Sequence, residues 1–259
     1  MAHKRVAIVT GAGSGIGKSA ALALLKDGYC VGLVGRRKDM LEKAAAESGA
    51  KDRTLVLPAD ITKDAEVKQI FSELKSKWAR LDVLFNNAGI GAPAVPMEDL
   101  PIEKFREVVN INLVAMFMCT QEAIRIMKAQ DPKGGRIINN GSISAHAPRP
   151  MSVAYTSTKH AVTGLTKCIS LDGRKNDIVG SQIDIGNALT DLAARMAQGV
   201  PQADGSVKPE PLMDVKHVGD AVLHVDVERK VGHVQHRVAD VNVQFMTIMA
   251  TKMPFVGRG

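Results

Sequence analysis

The 259-residue chain has few aromatic residues, few cysteines and no long apolar run, and each shortage excludes a class of protein. Aromatic residues make up 3% of the chain, too few for the stacking platforms that bind single-stranded nucleic acid. Cys30, Cys119 and Cys168 are far apart and form no Cys-x-x-Cys pair, so we expect free thiols in a reducing compartment rather than a disulfide framework or a zinc site. No apolar stretch approaches the roughly 18 residues of a membrane span.

The chain carries an excess of positive charge, with a formal net charge of +7 and a sequence pI near 9.3. Such an excess raises nucleic acid as a partner. The basic residues are scattered from Lys4 to Arg258 without a long basic block, so no nucleic-acid partner is expected. The apolar run from Val6 to Val9 is too short for a signal-peptide core, and we expect a cytoplasmic protein that does not associate with membranes.

Short apolar runs alternate along the chain with segments of helical periodicity. VAIVT at 6–10 and DVLF at 82–85 are almost continuously apolar, which indicates strands buried on both faces of a parallel sheet. AEVKQIFSELKSKW, which begins at 65, has apolar residues at i, i+3, i+4 and i+7 and predicts an amphipathic helix. The predicted strands are Val6–Thr10, Val31–Val34, Thr54–Pro58, Asp82–Phe85, Arg136–Asn140, Ile178–Ile183 and Val241–Ile248.

The alternation of strand and helix continues over the whole chain, with no Pro/Ser-rich linker and no internal repeat. This pattern predicts an α/β fold: a single domain over 1–259, built as a doubly wound parallel sheet of about seven strands with helices on both faces. Ligands of such sheets bind beyond the carboxyl ends of the strands, where the strand order reverses. Residues that directly follow a strand are therefore the candidates for a functional site.

A glycine-rich turn, TGAGSGIG at 10–17, follows the first predicted strand. Glycines let backbone amides approach a pyrophosphate at the N-terminus of the next helix, although a merely flexible loop would have the same composition. The Gly-x-Gly-x-x-Gly fingerprint is not met, because its last position falls on Ile16 or Lys18. The turn instead matches the pattern Thr-Gly-x-x-x-Gly-x-Gly.

A tyrosine and a lysine stand four positions apart in YTSTK, at Tyr155 and Lys159. Residues four apart on a helix face the same way, so the phenol and the ammonium would project into one site. An ammonium near a phenol favours the phenolate, which brings a phenol toward the range useful for acid–base catalysis. Ser142 follows the fifth predicted strand and can donate a hydrogen bond to a substrate carbonyl. An amphipathic surface helix is the alternative interpretation of YTSTK.

Taken together, these motifs resemble those of the short-chain dehydrogenase/reductase family. NNAG at 86–89 follows the fourth strand, NIN lies at 110–112, and Ser142 precedes Tyr155 by thirteen residues. The resemblance covers about residues 4–200. It implies a Rossmann-type fold and hydride transfer between a nicotinamide cofactor and a small-molecule alcohol or carbonyl substrate.

The resemblance also implies four catalytic roles. Tyr155 would be the general acid/base, and Ser142 would orient the substrate oxygen. Lys159 would hold the nicotinamide ribose hydroxyls, and Asn112 would position Lys159 through a water relay.

Residues after the other strands complete a predicted dinucleotide site. Asp60 would hold the adenine, although it could equally cap a helix that begins near Thr62. Ile185 stands where the family has a proline, which predicts a locally different turn before Gly186 and Thr190. The predicted cofactor-binding residues are Gly11, Ser14, Gly15, Ile16, Gly17, Arg36, Arg37, Asp60, Ile61, Asn87, Ala88, Gly89, Tyr155, Lys159, Gly186 and Thr190.

The end of the second predicted strand predicts a preference for NADP(H), with NAD as a possible second cofactor. An NAD site would have an acidic residue there, about 20 residues after the glycine turn, to bind the ribose 2′-hydroxyl. Gly35 occupies that position, and Arg36 and Arg37 follow it. A guanidinium can bind a 2′-phosphate with two parallel hydrogen bonds, and Arg36 is the first candidate. The alternative is that both arginines are solvated residues at the start of the next helix.

Two variable segments are expected to shape the substrate end. The polar stretch at 187–213 predicts a mobile lid, and HAPRPM at 146–151 would form the opposite wall. His146 and Arg149 could recognise a polar or anionic substrate, although they could also be solvated loop residues. His233 and His236 lie in an unfamiliar segment at 225–245 and suggest a metal pair, but two such histidines are more often surface residues, and no metal site is expected.

The resemblance also implies self-association as a homotetramer or homodimer, because family members commonly pair through the long helices after strands four and five. In this chain those helices carry apolar residues on more than one face, which is consistent with an interface and with packing on the sheet. A monomer whose helices are simply buried is the alternative. A protein that senses a dinucleotide without turnover is the main alternative function. A proton donor would have no use in a sensor, so the motif set favours an oxidoreductase.

Overall fold

Strands and helices alternate in the computed structural model, which describes residues 4–190, 193–227 and 241–255. The strands are β1 (Val6–Thr10), β2 (Cys30–Gly35), β3 (Thr54–Pro58), β4 (Val83–Asn86), β5 (Gly135–Asn140), β6 (Ile178–Ile185), β7 (Val200–Pro201), β8 (Val207–Lys208) and β9 (Phe245–Ile248). The helices are α1 (Gly15–Lys26), α2 (Lys38–Glu47), α3 (Asp64–Trp78), α4 (Ile102–Val109), α5 (Ala115–Ala129), α6 (Val153–Gly173) and α7 (Lys216–Val227).

A seven-stranded sheet in the order β3-β2-β1-β4-β5-β6-β9 forms the centre of the molecule. Its neighbouring strands all pair in parallel, whereas β7 and β8 form a separate antiparallel pair. The strand order reverses between β1 and β4, where the connections leave in opposite directions and open a crevice at the carboxyl ends. The predicted fold class, a doubly wound α/β sheet of seven strands, is confirmed.

Both faces of the sheet are apolar because alternate residues of each strand point to opposite sides. On one face Ala7 and Val9 pack with buried residues of α1, α2 and α7. On the other face Val6 and Ile8 pack with buried residues of α3, α5 and α6. Burial on two sides explains why β1 is apolar at every position but its last, Thr10, whose hydroxyl bonds to the backbone that follows β4.

The strand boundaries follow the predicted ones closely, with two instructive differences. The sixth strand runs to Ile185 rather than to Ile183, because Asp184 and Ile185 continue the pairing with β9. The last strand begins at Phe245 rather than at Val241. The two-residue strands β7 and β8 inside 187–213 carry no periodic signal and were not predicted.

The described ranges contain neither a helix that could span a membrane nor a group of three or more His, Cys, Asp or Glu side chains that could hold a metal ion. His233 and His236 lie outside the described residues, so their interpretation as surface residues rather than metal ligands stays a prediction.

Candidate active site

A cleft of about 750 Å³ opens at the carboxyl ends of the strands, where the sheet order reverses. The structure brings the sequence-predicted residues together there, and all of them line the cleft except Gly17 and Asn112. The cleft runs from an arginine-bearing end beside β2 and β3 to an end formed by β5, α6 and the segment after β6. We name the two ends after the predicted roles of their residues and call them the adenine end and the reaction end.

The glycine turn between β1 and α1 needs its glycines for two physical reasons. Gly11 and Gly15 have φ values of +68° and +52°, in the left-handed region that glycine adopts without strain. A side chain on Gly17 would collide with the backbone of Gly11 and with Asn87. The turn therefore brings the N-terminus of α1 against the cleft, which is a favourable place for a pyrophosphate.

Hydrogen bonds tie the turn to the ends of β4 and β5. The Thr10 hydroxyl accepts from the backbone N–H groups of Asn87 at 2.9 Å and Ala88 at 3.0 Å. Asn87 Nδ2 donates to the Thr10 carbonyl at 2.9 Å, and Asn140 Nδ2 donates to Asn87 Oδ1 at 2.9 Å. These bonds fix the three strand ends that form the middle of the cleft.

Ser142 lies two residues after β5, buried and with its backbone extended. Its Oγ accepts a hydrogen bond from Ser144 N at 3.1 Å, and its own N–H donates to Asp184 Oδ1 at 3.0 Å. Since the Oγ accepts from Ser144, the hydroxyl hydrogen stays available for a ligand in the cleft.

Tyr155 and Lys159 stand one turn apart in the first half of α6, and both line the cleft. Lys159 is buried, and its Nζ donates to the carbonyl of Asn140 at 2.6 Å. The same Nζ lies 5.4 Å from the centroid of the Tyr155 ring. The ammonium and the phenol thus lie side by side in the cleft.

Asn112 lies in a π-helical turn, 110–114, that joins α4 to α5. Its Oδ1 accepts from Ile90 N at 2.8 Å, and its Nδ2 donates to Ile90 O at 2.9 Å and to Thr158 Oγ1 at 3.4 Å. Single π-turns inside helices occur often at functional sites, but no residue spacing announces them in a sequence. Asn112 thus reaches the residue before Lys159 without lining the cleft itself.

The arginines at the adenine end are exposed. Arg37 Nη2 donates to Ser14 Oγ at 3.3 Å, whereas Arg36 lies close enough to Asp60 to act on its charge. A hydrogen bond from the Thr62 hydroxyl, with a second from the Thr62 N–H, holds the pKa of the Asp60 carboxyl below its usual value. Because α3 begins at Asp64 with Lys63 at its cap, Asp60 closes a turn and does not cap the helix.

The walls at the reaction end are joined by a buried polar cluster. Arg149 Nη2 donates to Asn187 Oδ1 at 2.8 Å and lies 2.6 Å from Glu210 Oε2. Asn187 Nδ2 donates to the same carboxylate oxygen at 2.8 Å. Arg149 lines the cleft, and its guanidinium bonds to residues of the opposite wall. His146 does not line the cleft and bonds to Asp184 instead.

The turn after β6 follows Ile185, which stands at the position where the proline of the resembling family was expected. Ile185 stays in the strand opposite Ile248, and Gly186 N donates to Ile248 O at 2.8 Å. A side chain on Gly186 would collide with Met249. Sequence reasoning missed Asp184 and Glu210, because their partners lie far away in the chain and no short motif contains them.

The model of the short chain dehydrogenase family matches residues 5–200 of the chain. A 3beta-hydroxysteroid dehydrogenase of Mediterraneibacter gnavus is 32% identical over 200 residues, which cover 76% of this chain and 71% of that protein. The dehydrogenase/reductase SDR family member 11 of Gallus gallus is 33% identical over 229 residues, which cover 85% and 89% of the two chains.

Solved structures resemble the whole fold. The crystal structure of a 3-ketoacyl-(acyl-carrier-protein) reductase from Brucella melitensis, complexed with NADH, matches with a TM-score of 0.80 and 26% identity. The match covers 95% of this chain and 97% of the reductase.

Proposed function

The chain belongs to the short-chain dehydrogenase family, whose members are oxidoreductases, and we propose that it transfers a hydride between NADP(H) and an alcohol/carbonyl pair. The observation that carries the proposal is the meeting of Ser142, Tyr155 and Lys159 in the cleft that the glycine turn also lines. A nicotinamide dinucleotide is the cofactor for which this cleft is suited, and NAD(H) is its possible second cofactor.

The described residues fit such a cofactor from end to end. The glycine turn leaves space where side chains would collide, and α1 begins there, so its first N–H groups suit a pyrophosphate. Asn87, Ala88 and Gly89 line the middle of the cleft, and Gly186 and Thr190 line its reaction end. The related Brucella reductase, which was crystallised with NADH, supports a nicotinamide dinucleotide as the ligand. When bound, the nicotinamide gives or takes the hydride.

In carbonyl reduction, the Tyr155 phenol donates its proton to the substrate oxygen as charge builds there. The Ser142 hydroxyl donates a hydrogen bond to the same oxygen and so fixes its position. The Lys159 ammonium stabilises the phenolate that remains, and its bond to the Asn140 carbonyl keeps it in place. In alcohol oxidation the same groups act in reverse, with the phenolate taking the proton.

The preference for NADP(H) rests on charge at the adenine end. Gly35 ends β2 without an acidic side chain, and Arg36 and Arg37 line the cleft beside it. A 2′-phosphate would meet two exposed guanidiniums there, and charge-assisted hydrogen bonds to phosphate are strong. Arg36 remains the first candidate, and the bond of Arg37 to Ser14 makes Arg37 a second one.

A cofactor-oxidation screen tests the proposal. NADPH and NADH are each offered with ketones, sugars, steroids and acyl thioesters, and absorbance at the reduced cofactor's band is followed. Turnover with at least one carbonyl class is expected. Dinucleotide-dependent thermal stabilisation without turnover on any class would instead favour a sensing protein.

We also propose that the protein works in the cytoplasm as a homotetramer or homodimer. Three apolar side chains are exposed, as a surface between subunits would require. They are Val114 directly before α5, Phe117 in α5 and Leu171 in α6. Equilibrium sedimentation that gives only a 27.7 kDa species at micromolar concentration would contradict the assembly.

A further inference from the structure

Asp184 is a fully buried carboxylate near the end of β6, and none of the proposed catalytic steps uses it. Its Oδ1 accepts from the backbone N–H of Ser142 at 3.0 Å and from Gln182 Nε2 at 2.7 Å. Its Oδ2 lies 2.7 Å from Nε2 of His146, whose side chain is 46% exposed. A carboxylate keeps such a buried place only where several donors satisfy it.

The carboxylate lies directly against the backbone that carries Ser142. A side chain on Gly141 would collide with Asp184 Oδ1 and with Gln182, so the glycine is required by this contact. The backbone N–H of Gly141 also donates to Ile183 O at 2.9 Å, which extends the pairing of β5 with β6 by one residue. The start of the Ser142 turn is therefore held by β6.

The same carboxylate connects this turn to α6. Gln182, which donates to Asp184, also donates from Nε2 to Thr163 Oγ1 at 3.0 Å. Its Oε1 accepts from Thr166 Oγ1 at 3.1 Å. Thr163 and Thr166 lie on α6, the helix that carries the phenol and the ammonium of the site. A continuous set of hydrogen bonds thus runs from the serine turn through β6 to the catalytic helix.

We propose that Asp184 is a positioning residue that sets the place of the Ser142 hydroxyl relative to the Tyr155 phenol. The proposal rests on the proposed function, because both hydroxyls must reach one substrate oxygen. With its N–H held by Asp184 and its Oγ held by Ser144 N, Ser142 has one orientation in which its hydroxyl faces the cleft. His146 is the outer donor that keeps the second carboxylate oxygen in place.

The kinetic test compares Asp184→Ala and Asp184→Asn with the wild type on one carbonyl that the enzyme reduces. Loss of the acceptor lets the serine turn shift, and a misplacement of about 1 Å costs up to about 100-fold in rate. We expect Asp184→Ala to lower kcat about 10- to 100-fold, with the carbonyl KM and the NADPH Kd unchanged. Asp184→Asn keeps the shape of the side chain and one acceptor oxygen, so its kcat should recover much, but not all, of the loss seen in the alanine variant.

Asp82→Ala is the matched control, because Asp82 is also a buried aspartate that accepts a backbone N–H, that of Val6 at 2.8 Å. Asp82 directly precedes β4, at the amino ends of the strands and away from the cleft, so its removal should lower the Tm and leave kcat unchanged. An Asp184→Ala enzyme with wild-type kcat would overturn the proposal. An equal kcat loss in Asp82→Ala, or no recovery in Asp184→Asn, would overturn it as well.

Hydrogen exchange followed by mass spectrometry tests the positioning without turnover. We expect faster exchange in a peptide spanning 140–146 for the Asp184 variants and not for Asp82→Ala. If the alanine variant does not fold, Asp184→Asn decides alone, and unchanged exchange together with unchanged kcat would overturn the inference. A wild type that turns over no carbonyl would refute the proposed function, while the exchange result would still test the inference.

Discussion

The two ends of the cleft differ in how firmly their side chains are held. At the reaction end Ser142 and Lys159 are buried, and each makes short hydrogen bonds to neighbouring strands. At the adenine end Arg36 and Arg37 are exposed, and the described contact of Arg37 with the glycine turn is a single 3.3 Å bond to Ser14.

This difference agrees with the roles proposed for the two ends. Proton transfer and oxygen positioning lose rate steeply with small displacements, so the groups that perform them need fixed positions. Discrimination between two dinucleotides needs only positive charge near a 2′-phosphate, and a flexible side chain can supply that. Changes at the reaction end should therefore act on kcat, and changes at the adenine end should act on cofactor affinity.

The largest expected effect is that of Tyr155→Phe at the reaction end. Loss of the phenolic proton should lower kcat by about 10²- to 10⁴-fold, because general acid–base catalysis contributes that much. The fold and the NADPH affinity should stay nearly intact, since the ring remains. Steady-state kinetics on a reactive carbonyl and calorimetric titration with NADPH measure the two quantities. A variant that keeps more than about a tenth of the wild-type kcat would show that Tyr155 is not the acid/base.

The next effect concerns the arginines of the adenine end. One or two charge-assisted bonds of about 1.5–3 kcal/mol each should favour NADPH over NADH by about ten- to several hundred-fold. Arg36→Ala should abolish most of this preference for NADPH, and Arg37→Ala should reduce it less. The kcat at saturating cofactor should be unchanged in both variants. Calorimetric titration with both reduced cofactors gives the ratio.

Lys38→Ala is a suitable control for the arginine variants, because Lys38 is an exposed cation that pairs with Glu42 on α2 and does not line the cleft. The ratio of its NADPH affinity to its NADH affinity should equal that of the wild type. Equal affinities of the wild type for NADPH and NADH would contradict the preference. An unchanged affinity ratio in both arginine variants would show that other residues cause it.

The smallest effect is expected for Asp60→Ala. Loss of one hydrogen bond to the adenine should weaken NADPH and NADH equally, by about 2- to 10-fold, because such a bond contributes about 0.5–1.5 kcal/mol. Since the bonds from Thr62 keep the pKa of Asp60 below its usual value, the carboxylate stays ionised from pH 7 to mild acid. The affinity difference between variant and wild type should therefore be the same at pH 7 and at about pH 5.5. A loss confined to one cofactor would contradict the adenine role.

The fold could be predicted almost completely because its signal is local. VAIVT at 6–10 and TLVLP at 54–58 are strands in full, and the glycine at 28 follows α1 as its spacing indicates. The glycine turn and the set of Ser142, Tyr155 and Lys159 could also be predicted, since each lies within a short stretch of sequence.

The contacts that support the site could not be predicted, because they join distant parts of the chain. Asp184 reaches Ser142 across 42 residues, and Asp184 sits in a strand whose other residues are mostly apolar. From the sequence, Arg149 could be a substrate-binding residue or a solvated loop residue, and only the fold brings Glu210 against it. The π-turn at Asn112 depends on packing rather than on a sequence pattern.

The cluster of Arg149, Asn187 and Glu210 has a consequence for how substrate range can change in this chain. Arg149 belongs to the wall at 146–151, whereas Asn187 and Glu210 belong to the segment at 187–213. Arg149 and Asn187 both bind the buried carboxylate of Glu210, so the two walls are adapted to each other. A graft of 146–151 alone from a relative would take Arg149 away from Glu210, and removing one partner of a buried ion pair is costly. Recombination that moves all three together would keep the cluster. Evolution of new specificities should thus exchange the two walls as one inherited block rather than loop by loop.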